Sequence, residues 1–241
     1  MSNNPLHQFT ITEIVPVEIA GINASFTNSA IVMVATVAVV SIFLIMGMGG
    51  RSLVPGRWQS MAELTYSFIA DMVRDNVGNE GRKYFPIVFS LFMFILVGNL
   101  LGLLPYSFTF TSHVAVTFTL AMAVFIGVTL IGIARHGLHF FSFFVPSGVP
   151  AVMLPLLVPI EIISYLSRPV SLSIRLFANM TAGHTMMKVF ASFVVPLGVF
   201  GILPFAVDVA LTGFEFLVAF LQAYVFAVLT CIYLNDSIHL H

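Results

Sequence analysis

Two sets of polar residues recur at seven-residue spacing in the last third of a very apolar chain: Glu161, Arg168 and Arg175, and then Asp208, Glu215 and Gln222. Seven residues of α-helix return to within about 20° of the starting direction, so each set forms one stripe on one helix. Asn179, four residues after Arg175, joins the first stripe, whereas His184, nine residues on, points to the opposite side at ~100° per residue. With Lys188, these stripes hold six of the nineteen formal charges of the 241-residue chain. An arginine at mid-bilayer costs ~3 kcal/mol on insertion scales and far more in simulations, so it marks a pathway or a partner. Imidazole titrates near neutral pH and carboxylates exchange protons readily, so His184, Glu215 and Glu161 suit a proton relay. The amides of Gln222 and Asn179 can hold water or a carboxylate without adding charge. Lys188 and Asp208 lie nearer a turn, where a long side chain can also reach the membrane surface by snorkelling.

The elements that must position these residues are apolar helices. The chain is 59% hydrophobic and only 8% charged, with a mean hydropathy of +1.05, which predicts an all-α, multi-pass membrane protein. We read it as one integral membrane domain, residues 1–241, with about five embedded helices and one interfacial helix. A first span over about 30–48 lies in a run free of charge, and Arg51, Arg57 and Trp58 follow it directly. Basic loops favour the cytoplasmic or matrix side, so the N-terminus is expected on the other. Over about 59–77, Met61, Leu64, Phe68 and Met72 recur at helical spacing while Glu63, Asp71, Arg74 and Asp75 interrupt them, a pattern for a helix in the interface plane.

Residues 86–134 contain no Asp, Glu, Lys or Arg and are read as two spans, about 86–104 and 114–134, split at LLPYSFTFTSH by Pro105 and its polar neighbours. Arg135, His136 and His139 return the chain to the basic side. Two long apolar arms, about 155–195 and 203–234, then fold about a turn near Pro196, Gly198 and Gly201 into an antiparallel hairpin, with Pro159, Pro169 and Pro204 as sites of bending. At ~1.5 Å per residue they exceed a hydrocarbon core of ~30 Å, so they must lie strongly tilted or be broken. Matching residues by equal rise about Gly198 and Val199 sets Arg175 level with Gln222 and His184 level with Glu215. Contact then depends on rotation about each helix axis.

Other functions are disfavoured. A formal net charge of −1 without basic runs leaves no footprint for nucleic acid. The N-terminal MSNNPLHQFTITEIVPVEIAG has no basic residue ahead of its apolar run, so the first span is read as retained and not as a cleaved leader. Cys231, the single cysteine, is expected to pack as a small hydrophobe. His113, His136, His139, His239 and His241 lack metal-ligand spacing, and no phosphate loop, dinucleotide fingerprint or Ser/His/Asp set occurs. We therefore expect no metal, no cofactor and no catalysis within the chain. Gly49 with Gly50 and Pro146 with Pro150 are read as loops. A secondary transporter would also keep charges at mid-membrane, but it would show paired repeats, which this sequence lacks. A membrane scaffold would leave the stripes without a use.

RPVSLSIRLFANMTAGH, Arg168 to His184, together with FLQAYVFAVLTCIYL, Phe220 to Leu234, resembles subunit a of F-type ATP synthases, and the resemblance covers nearly the whole chain. It implies one N-terminal span, a surface helix, two further spans and two long helices lying against a rotor ring of c subunits. It also implies b-type peripheral-stalk subunits and, at a distance, the catalytic head as partners, with membrane lipid around. Arg175 matches the family's stator charge, and Asn179, His184, Glu215 and Gln222 match the surroundings of that arginine and the proton path. Other members often carry Glu where this chain has His184 and His where it has Glu215, so the acid and the imidazole are exchanged. The expected role is a proton channel with two offset half-channels, Glu215, His184 and Asp208 on the N-terminal side and Glu161 and Arg168 on the other. The expected location is an energy-coupling inner membrane, bacterial or mitochondrial, with the N-terminus on the periplasmic or intermembrane-space side.

Overall fold

Six α-helices run in chain order among the described residues: α1 (Asn28–Met48), α2 (Arg57–Val77), α3 (Phe85–Gly102), α4 (Val114–His136), α5 (Leu154–Val194) and α6 (Ile202–Ile238). The computed structural model describes residues 10–16, 18–19, 22–23, 25–49, 55–104, 107–145 and 153–239. Gly50, Arg51, Pro105, Pro146, Pro150 and His241, used in the sequence reading, lie outside them. All the α-helices except α2 are long and apolar enough to cross a membrane, and the all-α membrane architecture with a terminal hairpin is the one the sequence predicts.

Ahead of α1 stand four short strands that the sequence reading did not assign: β1 (Glu13–Val15) pairs antiparallel with β4 (Phe26–Thr27), and β2 (Glu18–Ile19) with β3 (Ile22–Asn23). Asn28 ties this ribbon to α1, since its side chain accepts from the Thr12 N–H at 3.3 Å and donates to the Thr10 carbonyl at 3.2 Å. Thr27 caps the helix by accepting from the Ala30 N–H.

α2 covers one face against the protein. Ile69, Met72, Val73 and Val77 are buried, while Met61 and Leu64 stay exposed. The covered face lies against α3 and α6, where Phe68 meets the rings of Phe92, Phe220 and Tyr224. Gly47 of α1 lies so close to Ala62 of α2 that a Cβ would overlap it, which seats α1 on α2.

The hairpin is the frame of the molecule. α5 has 41 residues and runs unbroken through Pro159 and Pro169; α6 has 37. At ~1.5 Å per residue they are about 60 and 55 Å long. The turn between them passes through Gly198, whose φ of +56° lies in the left-handed region that glycine enters without a Cβ clash. Each arm buries a row of residues at four-residue spacing: Leu172, Leu176, Met180 and His184 on α5, and Glu215, Ala219, Ala223, Ala227 and Cys231 on α6. Rows of this kind are the ridges by which helices interlock, and alanine allows close approach. Val88, Phe92 and Ile95 of α3 complete the core.

At the end remote from the hairpin turn, His136 lies 3.1 Å from the Ile238 carbonyl and Arg135 bonds Glu80 in the 3-10 segment Asn79–Lys83. That hydrogen bond, with the guanidinium charge, holds the Glu80 carboxyl below its ordinary range.

Candidate functional site

His184 is the last member of the α5 ridge, and this places its ring inside the protein, 7% exposed. Its Nδ1 lies 2.9 Å from the Met180 carbonyl, one turn back on the same helix. Its Nε2 lies 3.0 Å from the Gly102 carbonyl at the end of α3 and 3.0 Å from Thr109 Oγ1. The chain can present Thr109 there because Gly102 has no side chain; a Cβ would overlap the threonine. The short 3-10 turn Phe110–Ser112 that follows is buried, and its polar groups are satisfied locally. Thr111 donates to Asn99 at 2.8 Å, Asn99 donates to the Ala219 carbonyl at 3.4 Å, and Thr181 donates to the Ser112 carbonyl at 3.3 Å.

Glu215 faces His184 from α6, with Oε1 3.8 Å from Nδ1, and is 3% exposed. Oε1 has no hydrogen-bond partner among the described residues. A buried carboxylate oxygen in that state is costly unless a proton or a cation compensates it. The carboxylate lies directly over Gly183, where any Cβ would overlap it. An acid and an imidazole in near contact, shielded from the exterior and lined by hydroxyls and carbonyls, can hold one proton between them and pass it on.

Arg175 lies on another face of α5. It is exposed, as is Asn179 one turn on, and among the described residues it makes no ion pair or hydrogen bond. Its neighbours one turn away on the helix surface are Ser171, Ala178 and Asn179, all exposed. The Arg175 and His184 positions therefore diverge as the ~100° rotation per residue requires. Gln222, level with Arg175, is half-buried on α6. Asp208 is half-buried with one oxygen unpartnered among the described residues, Glu161 is half-buried and Lys188 is exposed.

Arg168 differs from Arg175 although the two share a stripe. Its guanidinium bonds Asp236 at 2.9 Å and lies 5.0–5.7 Å from the ring centres of Phe143, Tyr165 and Tyr233. Tyr165 in turn bonds Thr129 of α4 at 2.7 Å. Arg168 thus fastens the C-terminal end of α6 to α5 and α4.

Sequence reasoning missed Thr109, Gly102, Gly183 and Asp236. Asp236 lay beyond the expected helix end at 234, and the four-residue ridge that ends at His184 was the signal for the inward face of α5.

The family described as ATP synthase A chain matches residues 30–235. ATP synthase subunit a of Rhodospirillum rubrum is 57% identical over 240 residues, covering 99% of this chain and 100% of that protein. The chain belongs to the ATP synthase A chain family. Subunit a of Allorhizobium ampelinum is 60% identical over a 246-residue alignment, covering 99% of this chain and 98% of that protein, and subunit a of Rhizobium etli is 59% identical with the same coverage. As a member of the ATP synthase A chain family the chain is a non-catalytic, multi-pass membrane subunit.

Proposed function

We propose that this chain is the proton-translocating stator of a rotary ATP synthase, with Arg175 as the gate between two half-channels and His184 with Glu215 as the proton-exchanging pair of one of them. The observation that carries this reading is the division of labour on α5: an exposed arginine without an ion pair or hydrogen bond among the described residues and, on another face of the same helix, a buried imidazole 3.8 Å from the buried Glu215 carboxylate of α6. An exposed guanidinium in a lipid-facing position needs a partner from another chain, and a rotor ring of c subunits with one membrane-embedded carboxylate per subunit fits.

Guanidinium keeps its proton at physiological pH, so a rotor carboxylate arriving opposite Arg175 is driven to its ionised form. At 4 Å and an effective dielectric of 20 the attraction is ~4 kcal/mol. The proton leaves to one half-channel, the ring turns, and the carboxylate is protonated again from the other. The fixed positive charge opposes direct proton flow, so rotation is the permitted route. Each proton falling through ~200 mV releases about 4.6 kcal/mol, which turns the ring against the catalytic head.

His184, Glu215 and Asp208 serve the half-channel on the side of the N-terminus and the hairpin turn. Glu161 serves the other, with Arg168 at its margin, and Asn179 and Gln222 hold water or carboxylate around Arg175. The single membrane domain sits in an energy-coupling inner membrane, with α2 in the interface and the basic Arg82, Lys83 and Arg135 on the cytoplasmic or matrix side. The hairpin arms, about twice as long as the ~30 Å hydrocarbon core, lie strongly tilted against the ring, and b-type stalk subunits anchor the stator.

Replacing Arg175 by Ala in the assembled synthase tests the reading. ATP-driven acidification of inverted vesicles should vanish, while passive proton flux through the membrane sector stripped of its head should persist. An Arg175→Ala complex that contains the ring and pumps at the wild-type rate refutes the gate.

A further inference from the structure

Both ring nitrogens of His184 lie against backbone carbonyls, Nδ1 at 2.9 Å from Met180 O and Nε2 at 3.0 Å from Gly102 O. A carbonyl only accepts, so these two contacts suit an imidazolium, which donates from both nitrogens. Neutral imidazole donates from one nitrogen only. With Nδ1–H donating to Met180, an unprotonated Nε2 would set its lone pair against the Gly102 carbonyl, a repulsive and unsatisfied arrangement inside the protein. The remaining group at Nε2 is Thr109 Oγ1, 3.0 Å from the nitrogen and 3.2 Å from the same carbonyl. Its hydroxyl can turn to either.

We infer that Thr109 is a positioning residue whose hydroxyl switches between His184 Nε2 and the Gly102 carbonyl, so that His184 can take up and release a proton at Nε2 with its hydrogen bonds satisfied in both states. In the neutral state Thr109 donates to Nε2. In the charged state Nε2–H donates to the carbonyl, and Thr109 turns its hydrogen towards that carbonyl as well. Thr109 keeps its own proton throughout; only the direction of the O–H changes. The proton gained or lost is that of the imidazole, and Glu215 Oε1, without a hydrogen-bond partner among the described residues and 3.8 Å from Nδ1, supplies the countercharge to the imidazolium.

Among the described residues the groups around the ring are few. From α6 the facing titratable group is Glu215, with Asp208 two turns away along that helix. Lys188 lies one turn further along α5 and is exposed. The end of α3 and the turn after it present carbonyls, hydroxyls and, at the start of α4, His113.

The inference rests on the proposed proton-exchanging role of His184, and the test separates the two. Thr109→Val keeps the shape of the side chain and removes the hydroxyl; Thr109→Ala removes it without adding bulk; Thr109→Ser keeps it. Each is placed in the assembled synthase beside His184→Ala, and ATP-driven acidification is followed between about pH 5 and 9, a window that contains the ordinary imidazole range. Without the hydroxyl the neutral ring loses its donor while the charged ring keeps the Gly102 carbonyl, so the charged form persists to higher pH. The alkaline limb of the profile should move up by roughly 0.5–1 pH unit in Thr109→Val and Thr109→Ala, the equivalent of one neutral hydrogen bond, and stay in place in Thr109→Ser. A uniform loss of rate without a shift, or no change, in both hydroxyl-free variants overturns the inference while leaving His184 in its role. A His184→Ala complex that assembles and pumps at the wild-type rate overturns the role on which it rests.

Discussion

Substituting Gly183 by alanine adds one methyl group at the place where α5 carries the Glu215 carboxylate against its backbone. The added Cβ would overlap both carboxylate oxygens, so the carboxylate must withdraw by roughly 1–2 Å to ordinary van der Waals separation. Two responses are open. The helices could part, but Ala219 on the same ridge as Glu215 is 0% exposed and packed without slack, and overpacking a tight interface costs about 1–3 kcal/mol. The Glu215 side chain could instead leave its rotamer at about 0.5–1.5 kcal/mol, which is the smaller cost. Assembly should therefore survive while the 3.8 Å approach of Glu215 to His184 is lost. A misplacement of ~1 Å at a reacting group can lower a rate on the order of 100-fold, and that is the expected loss of ATP-driven acidification in vesicles whose ring content, judged by blotting, equals wild type. Glu215→Asp, shorter by one methylene or ~1.5 Å, should restore part of the rate when combined with Gly183→Ala. Wild-type pumping by assembled Gly183→Ala would refute the reasoning, and so would a double variant no better than the single.

Exchanging the pair, His184→Glu with Glu215→His, should retain more proton-driven ATP synthesis than either single change, because the acid and the imidazole still meet; a double variant worse than both singles would uncouple them. Arg168→Ala and Asp236→Ala should each lower the melting temperature of the detergent-solubilised complex, and the double variant should melt close to the worse single, with a coupling of about 1 kcal/mol for this partly exposed pair. Additive losses would show that the 2.9 Å contact contributes nothing. Because Arg135 depresses the Glu80 carboxyl, the link between residues 79–83 and α4 is in place above the ordinary carboxyl value of 4.5 and is lost as pH falls below it through the lowered value. Amide exchange of residues 79–83, corrected for intrinsic rates, should rise through that window in wild type and show no such step in Glu80→Gln.

The membrane helices were legible because length and apolarity alone define them. α1, α3 and α4 each fall on a stretch with no acidic or basic residue in its interior, and no competing element can be built from such a run. The ribbon before α1 was not legible: its strands have two or three residues each, too few for an alternation pattern, and it is fixed by Asn28 reaching back to Thr10 and Thr12. Which face of α2 the protein covers was not legible for a related reason. Its apolar residues exceed one stripe, and the neighbours on α3 and α6 select which of them are covered.

The site was legible in level but not in rotation. Equal rise about the turn put His184 opposite Glu215, yet the seven-residue stripes say only which residues share a face, not which face turns inward. The four-residue rows carry that information. On α6 the row beginning at Glu215 continues through Ala219, Ala223, Ala227 and Cys231, and on α5 the row ending at His184 begins at Leu172 and passes Leu176 and Met180; every member is buried. Small residues in one ridge and large apolar residues in the other interlock in one rotation, because sliding either helix by a residue would drive Leu176 or Met180 into the alanines at a different height and open a cavity beside them. That rotation carries both ridge ends, the imidazole and the carboxylate, inwards. It also turns Arg175 and Asn179, each one residue before a ridge member and hence ~100° away, to the outside. The inward pair and the outward arginine are therefore fixed by the same packing, so a substitution such as Ala223→Leu, which changes no charge, should disturb the proton pair and the gate together: vesicles carrying it should lose ATP-driven acidification and also leak protons with the head still attached, and loss of one without the other would show that the two are positioned independently.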